Sequence, residues 1–213
     1  MIVLRALSAL LSYPREDQRQ ALPEIADAIR GSPLVAACER AGLLALIEEL
    51  AAGDVLGAEE RYVDLFDRGR ATSLHLFEHL HGNNRDRGDA MVELKRLYER
   101  AGFELATREL PDYLPVLLEY LSCRDLAETR EMLSDCAHIL KTIAAGLIAR
   151  GSAYASVLQA LLLIAGEEPL DTKSVARVHE QAESLDRDWF EEPACDGASL
   201  ATAAGRPAPD ALR

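Results

Sequence analysis

Residues 125–149, DLAETREMLSDCAHILKTIAAGLIA, carry Leu133, Cys136, Ile139, Leu140, Ile143 and Leu147 at a recurrence of three to four residues. That is the period of a helix with one apolar face, so the run reads as the longest helix of the chain. Working outward, the same period returns. Leu4, Leu7, Leu10 and Leu11 form a face before Tyr13-Pro14 ends a first helix. Helices are expected over 17–30, stopped by Gly31-Ser32-Pro33, and over 34–52, where Leu43, Leu46, Ile47 and Leu50 repeat until Gly53. Asp54 is placed to cap the next, which carries Leu56, Tyr62, Leu65 and Phe66 and stops near Gly69. Ser73 is placed to cap a short helix over 74–81, and 86–101 holds a stripe of Ala90, Met91, Leu94, Leu97, Tyr98 and Ala101. Further helices are expected over 112–122, 153–165 and 172–184, and alternating β-branched runs are almost absent. The expected fold is all-α: one domain of roughly eight to ten helices over residues 1–188, followed by a loose tail, 189–213, rich in Pro, Gly, Ala and Asp.

Bulk properties narrow the function. Hydrophobic residues make up 49% of the 213 positions but aromatics only 5%, a composition suited to Ala/Leu helix packing. A formal charge of −13 argues against nucleic acid, whose phosphates need clustered Lys and Arg, and favours basic peptides as partners. Cys38, Cys123, Cys136 and Cys195 form no CxxC pair, so reduced thiols are expected. The start, MIVLRALSALLSYP, carries Arg5 within its apolar run and lacks a small-residue cleavage site, as a core helix would. No run approaches the roughly 18 apolar residues of a membrane span, so the expectation is a soluble, cytoplasmic protein without membrane insertion.

One stretch breaks the acidic pattern. Residues 62–91, YVDLFDRGRATSLHLFEHLHGNNRDRGDAM, contain His75, His79 and His81, three of the five histidines. Between Arg61 and Arg100 lie 8 basic and 7 acidic residues, while the remainder holds 15 basic and 29 acidic. On a helical wheel, Leu74, Leu76, Phe77 and Leu80 share one arc, and His75, Glu78 and His79 the opposite one. The latter face looks outward or into a groove.

His75-x-x-Glu78-His79 also spells H-x-x-E-H, a zinc-protease pattern in which two imidazoles one turn apart share a metal and the glutamate acts as base. A zinc hydrolase is therefore the runner-up, although catalytic zinc needs a third ligand and no carboxylate is singled out. Asp67-Arg68-Gly69-Arg70 and Arg85-Asp86-Arg87-Gly88-Asp89 alternate in sign. They either bridge one another or line a site with the histidines, where forked arginines hold a peptide or an anionic group. Phosphate-binding glycine loops and a GxSxG elbow are missing. Tyr13, Tyr62, Tyr98, Tyr113 and Tyr120 sit on or beside apolar faces and read as core.

The run resembles the signature of the respiratory nitrate reductase assembly chaperones, the NarJ type. The matching residues are Phe66-Asp-Arg-Gly-Arg70, Ser73-Leu-His-Leu-Phe-Glu-His79, His81-Gly82, Arg85-Asp-Arg-Gly88 and the Met91-Val92 helix. The likeness continues through Leu110-Pro-Asp-Tyr-Leu-Pro115-Val-Leu-Leu-Glu-Tyr-Leu121, similar to a motif of the wider redox-enzyme chaperone family but with Tyr113 where histidine would stand. Asn83-Asn84 depart from the pattern, which expects an acidic residue and then serine, and the tail after Pro193 matches nothing. The resemblance implies a cytoplasmic helical chaperone with no catalysis and no resident cofactor. Its partner would be the apo catalytic subunit of membrane-bound nitrate reductase, held by its N-terminal segment for iron–sulfur and molybdenum cofactor insertion. Molybdenum cofactor delivery proteins are a further partner class. The client groove is expected to present Leu65, Phe66 and Leu74 beside Asp67 and Glu78, with Arg68, Arg70, Arg85 and Arg87 fixing its rim. His75, His79 and His81 would tune affinity with pH.

Overall fold

The computed structural model describes residues 1–80, 85–105 and 109–170 with positions 175 and 178; the side chains at 85 and 86 lie outside the description. Ten helices occupy the described residues: α1 Ile2–Leu11, α2 Glu16–Gly31, α3 Ala37–Ala52, α4 Val55–Phe66, α5 Leu76–Leu80, α6 Arg85–Arg100, α7 Leu114–Ser122, α8 Leu126–Asp135, α9 Ala137–Ala149 and α10 Ala155–Ala165. The all-α expectation holds. The expected tail, 189–213, and nearly all of the helix expected over 172–184 lie outside the described residues.

The first helix is buried almost all round. Leu4, Leu7, Leu10 and Leu11 are each fully enclosed, and even Ser8 is buried, its hydroxyl donating to the Pro115 carbonyl at 2.8 Å. Only one narrow face, that of Ile2, Arg5 and Ala9, reaches solvent, so the helix sits deep in the core. α1 accordingly packs against α7, α2 and α10, while α10 also packs against α9, α8 and α3. Local chemistry sets the ends. Asp54 caps α4 as its position suggests, accepting the Gly57 N–H at 2.7 Å. Gly166 closes α10 at φ 88°, a left-handed conformation that costs a residue with a Cβ about 1 kcal/mol or more.

The run that opened the sequence reading is two helices, not one. α8 and α9 meet at Cys136 with a bend of 68°. Cys136 has φ −90° and ψ 1°, close enough to helical that the apolar phase passes through the bend intact. Leu133, Ile139, Leu140, Ile143 and Leu147 all point inward as expected, and the break lets both halves press on α10. Ser134-Asp135 precede the break, and such short polar side chains compete for backbone groups and weaken a helix. Burial also pushes the Cys136 thiol up to about 11, so it stays protonated. Among the described residues no single helix is long and apolar enough to cross a membrane.

Candidate functional site

The segment between α4 and α6 is built on contacts to backbone. Arg150, just past α9, donates to the carbonyls of Asp64 at 3.1 Å and Leu65 at 3.4 Å, satisfying the exposed end of α4. Thr72, fully buried, donates to the Leu65 carbonyl and rests on Gly146 of α9. A Cβ at Gly146 would come within 2.7 Å of Thr72 Cγ2, so only glycine admits this approach.

Leu74 lies in a bend and His75 in a bridge, and neither is helical. His75 forms an isolated antiparallel bridge with Tyr113, with Leu76 N–H donating to the Asp112 carbonyl at 3.1 Å and Leu114 N–H to the Leu74 carbonyl at 2.9 Å. The short helix therefore starts at Leu76, two residues later than its apolar pattern suggests. Its first turn is capped from outside: the Asp112 carboxylate, completely buried, accepts the Phe77 N–H at 3.1 Å. This replaces the cap expected from Ser73. Ser73 Oγ instead accepts the His75 N–H at 3.2 Å and donates to Glu78 Oε2 at 2.5 Å. Leu80, expected inward, is 46% exposed, because moving the start of the helix shortens the buried arc.

Each histidine has its own environment. His75 Nδ1 lies 3.3 Å from Asp112 Oδ1, and its ring stacks on Tyr113 at 5.2 Å between centroids. The hydrogen bond to Asp112 raises the His75 pKa above its ordinary value, against the lowering effect of burial. His79 Nε2 sits 2.9 Å from the Ser73 carbonyl and so must carry a proton, while its Nδ1 is buried without a partner among the described residues. Burial lowers the His79 pKa and keeps the ring neutral. The two rings thus face different partners, and with His75 ahead of α5 they do not sit one turn apart on a helix face as H-x-x-E-H metal binding requires. Among the described residues no three His, Cys, Asp or Glu side chains gather as a metal site.

Glu78 joins Arg70 to the start of α6. Arg70 Nε donates to the Glu78 carbonyl, and Arg87 Nη2 lies 3.3 Å from Glu78 Oε1. Arg68 stands apart on the surface, paired with Asp64 at 2.6 Å. Together Phe66, Asp67, Gly69, Arg70, Ser73, His75 and Glu78 line a cleft of about 230 Å³. Asp67 is exposed there and forms no ion pair with a described residue.

Comparison with known proteins gives the site its context. Residues 13–159 match the nitrate reductase delta subunit family. The chain is 41% identical over 197 residues to the nitrate reductase molybdenum cofactor assembly chaperone NarJ of Escherichia coli K12, covering 90% of this chain and 84% of that one. It is 35% identical over 216 residues to the probable chaperone NarW of the same organism, covering 94% and 90%. The probable NarJ of Bacillus subtilis is 34% identical over 163 residues, covering 76% and 86%.

The chain belongs to the NarJ-type nitrate reductase molybdenum cofactor assembly chaperones. In this NarJ-type chain the signature residues divide by role. Phe66, Asp67, Arg70, His75 and Glu78 meet at the cleft, and His79 and Arg87 brace it. Leu74 is 2% exposed and belongs to the core beneath, while Leu65 is half-buried against that core. His81 and the Arg85 side chain lie outside the described residues. Sequence reasoning left Asp112 out of the site, and it read Tyr62 and Tyr113 as core, which their packing bears out. Tyr62 donates to the Leu11 carbonyl at 2.7 Å, and its hydroxyl is 2.8 Å from that of Tyr113, tying α1 and α4 to the Asp112 segment. The available signal was Asp112 itself, a lone carboxylate between Pro111 and the apolar Tyr-Leu-Pro run.

Proposed function

We propose that the protein binds the apo catalytic subunit of membrane-bound nitrate reductase through that subunit's N-terminal segment. Bound, the client is held competent for iron–sulfur and molybdenum cofactor insertion before it docks at the membrane. The protein acts in the cytoplasm, without turnover or a cofactor of its own, with molybdenum cofactor delivery proteins as a further partner. The observation that carries this reading is the 41% identity to a nitrate reductase molybdenum cofactor assembly chaperone across nine-tenths of the chain.

The geometry supports a binding role. The polar groups at the cleft are spent on holding the 70–80 segment in shape, with Glu78 engaged by Ser73 and Arg87 and His75 by Asp112. Pre-formed surfaces bind peptides without an ordering cost on the host side. Phe66 supplies an apolar wall, Asp67 a charge with no ion pair among the described residues, and Arg70 and Arg87 the rim; Leu65 and Leu74 support the wall from beneath. His75, His79 and His81 set how affinity changes with pH.

The test is size-exclusion chromatography of the purified protein with apo catalytic subunit, full-length or lacking about 20 N-terminal residues, the length of five to six helical turns. A stable complex with the full-length subunit that is lost or much weakened on truncation is the expected result. Equal complexes with both forms would refute N-terminal recognition.

A further inference from the structure

The last turn of α4 needs help from outside. Its carbonyls want donors that the helix cannot supply, and the turn carries no basic residue to offset its negative pole. Val63 takes the Asp67 N–H at 3.0 Å, and Arg150, just past α9, supplies the rest. Its Nη1 donates to the Asp64 carbonyl at 3.1 Å and the Leu65 carbonyl at 3.4 Å. We propose that Arg150 is a positioning residue for client recognition. It stands outside the residues that line the signature cleft, yet it sets the loop that forms one side of it. The role rests on the client reading above.

Three observations carry it. First, the loop is closed at one atom. Thr72 Oγ1 donates to the same Leu65 carbonyl, so the chain leaves this oxygen and returns to it seven residues later. Phe66, Asp67, Gly69 and Arg70, which line the cleft, all lie between the two anchor points. A shift of the Leu65 carbonyl therefore moves that whole wall. Second, Arg150 is itself held in place. Gly151 N–H donates to the Ile148 carbonyl at 2.9 Å and Ser152 N–H to that of Leu147 at 3.0 Å, with Gly151 at φ 63°. A left-handed glycine closes α9 in this way and fixes the backbone from which the guanidinium reaches out. Third, the same turn steadies the apolar wall. Tyr154 meets the Phe66 ring edge-on at 5.2 Å, and Ser152 Oγ accepts the Tyr154 N–H at 3.3 Å. Residues 150–154 thus hold the end of α4 both by its backbone and by Phe66. A pre-set loop binds without an ordering cost, so loosening its anchor weakens recognition although no client contact is removed.

The test pairs fluorescence anisotropy, using a labelled synthetic peptide of the catalytic subunit's first ~20 residues, with amide hydrogen exchange of the full chain read by NMR. Arg150→Ala removes both hydrogen bonds, and Arg150→Lys keeps the charge on a single compact donor head. Arg150 is on the surface, so both variants should fold. Arg100→Ala is the control, removing the same charge from the exposed end of α6, where Arg100 donates to the Arg96 carbonyl of its own helix. Arg150→Ala should weaken binding about fivefold or more, Arg150→Lys should recover part of that, and Arg100→Ala should change it less than about twofold. Exchange in Arg150→Ala should quicken at Asp67 and Ser73, whose N–H groups bond to Val63 and Arg70, and stay unchanged in α1 and α10. A purely structural role would quicken exchange throughout the chain. If the wild-type chain binds and Arg150→Ala binds equally well, or if exchange quickens evenly across the chain, the positioning role is overturned and the client reading stands. If the wild-type chain does not bind the peptide, both fall.

Discussion

The completely buried carboxylate of Asp112 accepts the Phe77 N–H and faces His75 Nδ1 at 3.3 Å, so one side chain from the α7 approach both caps α5 and holds a histidine. A buried carboxylate is tolerated only where its oxygens are satisfied, and here each oxygen has its own donor. Asp112→Ala removes both partners at once. It should lower unfolding free energy by about 2–4 kcal/mol, read from urea titration. Asp112→Asn, which keeps an acceptor for Phe77, should lose clearly less. Equal losses would mean that the cap matters little and the charge everything.

The two described site histidines should respond to pH in opposite senses. His75 has a folded pKa raised above its unfolded value near 6.5, so its contribution is fully present below about pH 6.5 and lost as pH rises through the raised value. The destabilisation caused by His75→Gln should therefore shrink as pH increases. His79 has a lowered folded pKa, so its contribution is present above about pH 6.5 and lost as pH falls through the lowered value. The effect of His79→Gln should shrink towards acid. Parallel urea titrations at about pH 5.5 and pH 8 separate the two.

Gly146 and Thr72 should couple. Gly146→Ala is expected to cost about 1–3 kcal/mol, because its Cβ would meet Thr72 Cγ2 at 2.7 Å. Thr72→Ser removes that methyl and keeps the hydroxyl that donates to the Leu65 carbonyl. The double variant should then recover most of the loss, a coupling readable from a thermodynamic cycle. Strict additivity would show that the clash is not the cause.

Much of this architecture is legible in the sequence because helical burial leaves a periodic trace. The stripes of α1, α3 and α9 name the residues that fill the core, and Asp54 marks the start of α4. The bend at Cys136 leaves no trace in the apolar stripe, since one residue with near-helical dihedrals turns the axis without shifting its phase. The site was harder. Its members were found by charge and histidine density, which pointed to 62–91, but the partner of His75 lies 37 residues away in sequence. Spacing rules see one turn of a helix and do not see a bridge between distant segments. H-x-x-E-H is the clearest case: the letters suit a metal, yet the first histidine precedes the helix on which the pattern depends.

Glu78 should matter more for shape than for stability. Its pair with Arg87 is partly exposed, 20% and 18%, so Glu78→Gln should cost only about 1 kcal/mol or less. Losing the charge frees Arg87 and loosens the link between α5 and α6. Peptide affinity should consequently fall by more than the stability loss accounts for. A variant of unchanged affinity would separate this link from recognition.

The most direct test of the account is calorimetric titration of the purified chain with a peptide of about 20 residues from the N-terminus of the nitrate reductase catalytic subunit, beside the double variant His75→Ala/Arg87→Ala. The account predicts saturable binding by the wild-type chain that weakens in the double variant while its helical content is kept. No heat of binding from the wild-type chain at peptide concentrations of about 100 μM, where even a weak complex would register, would contradict it.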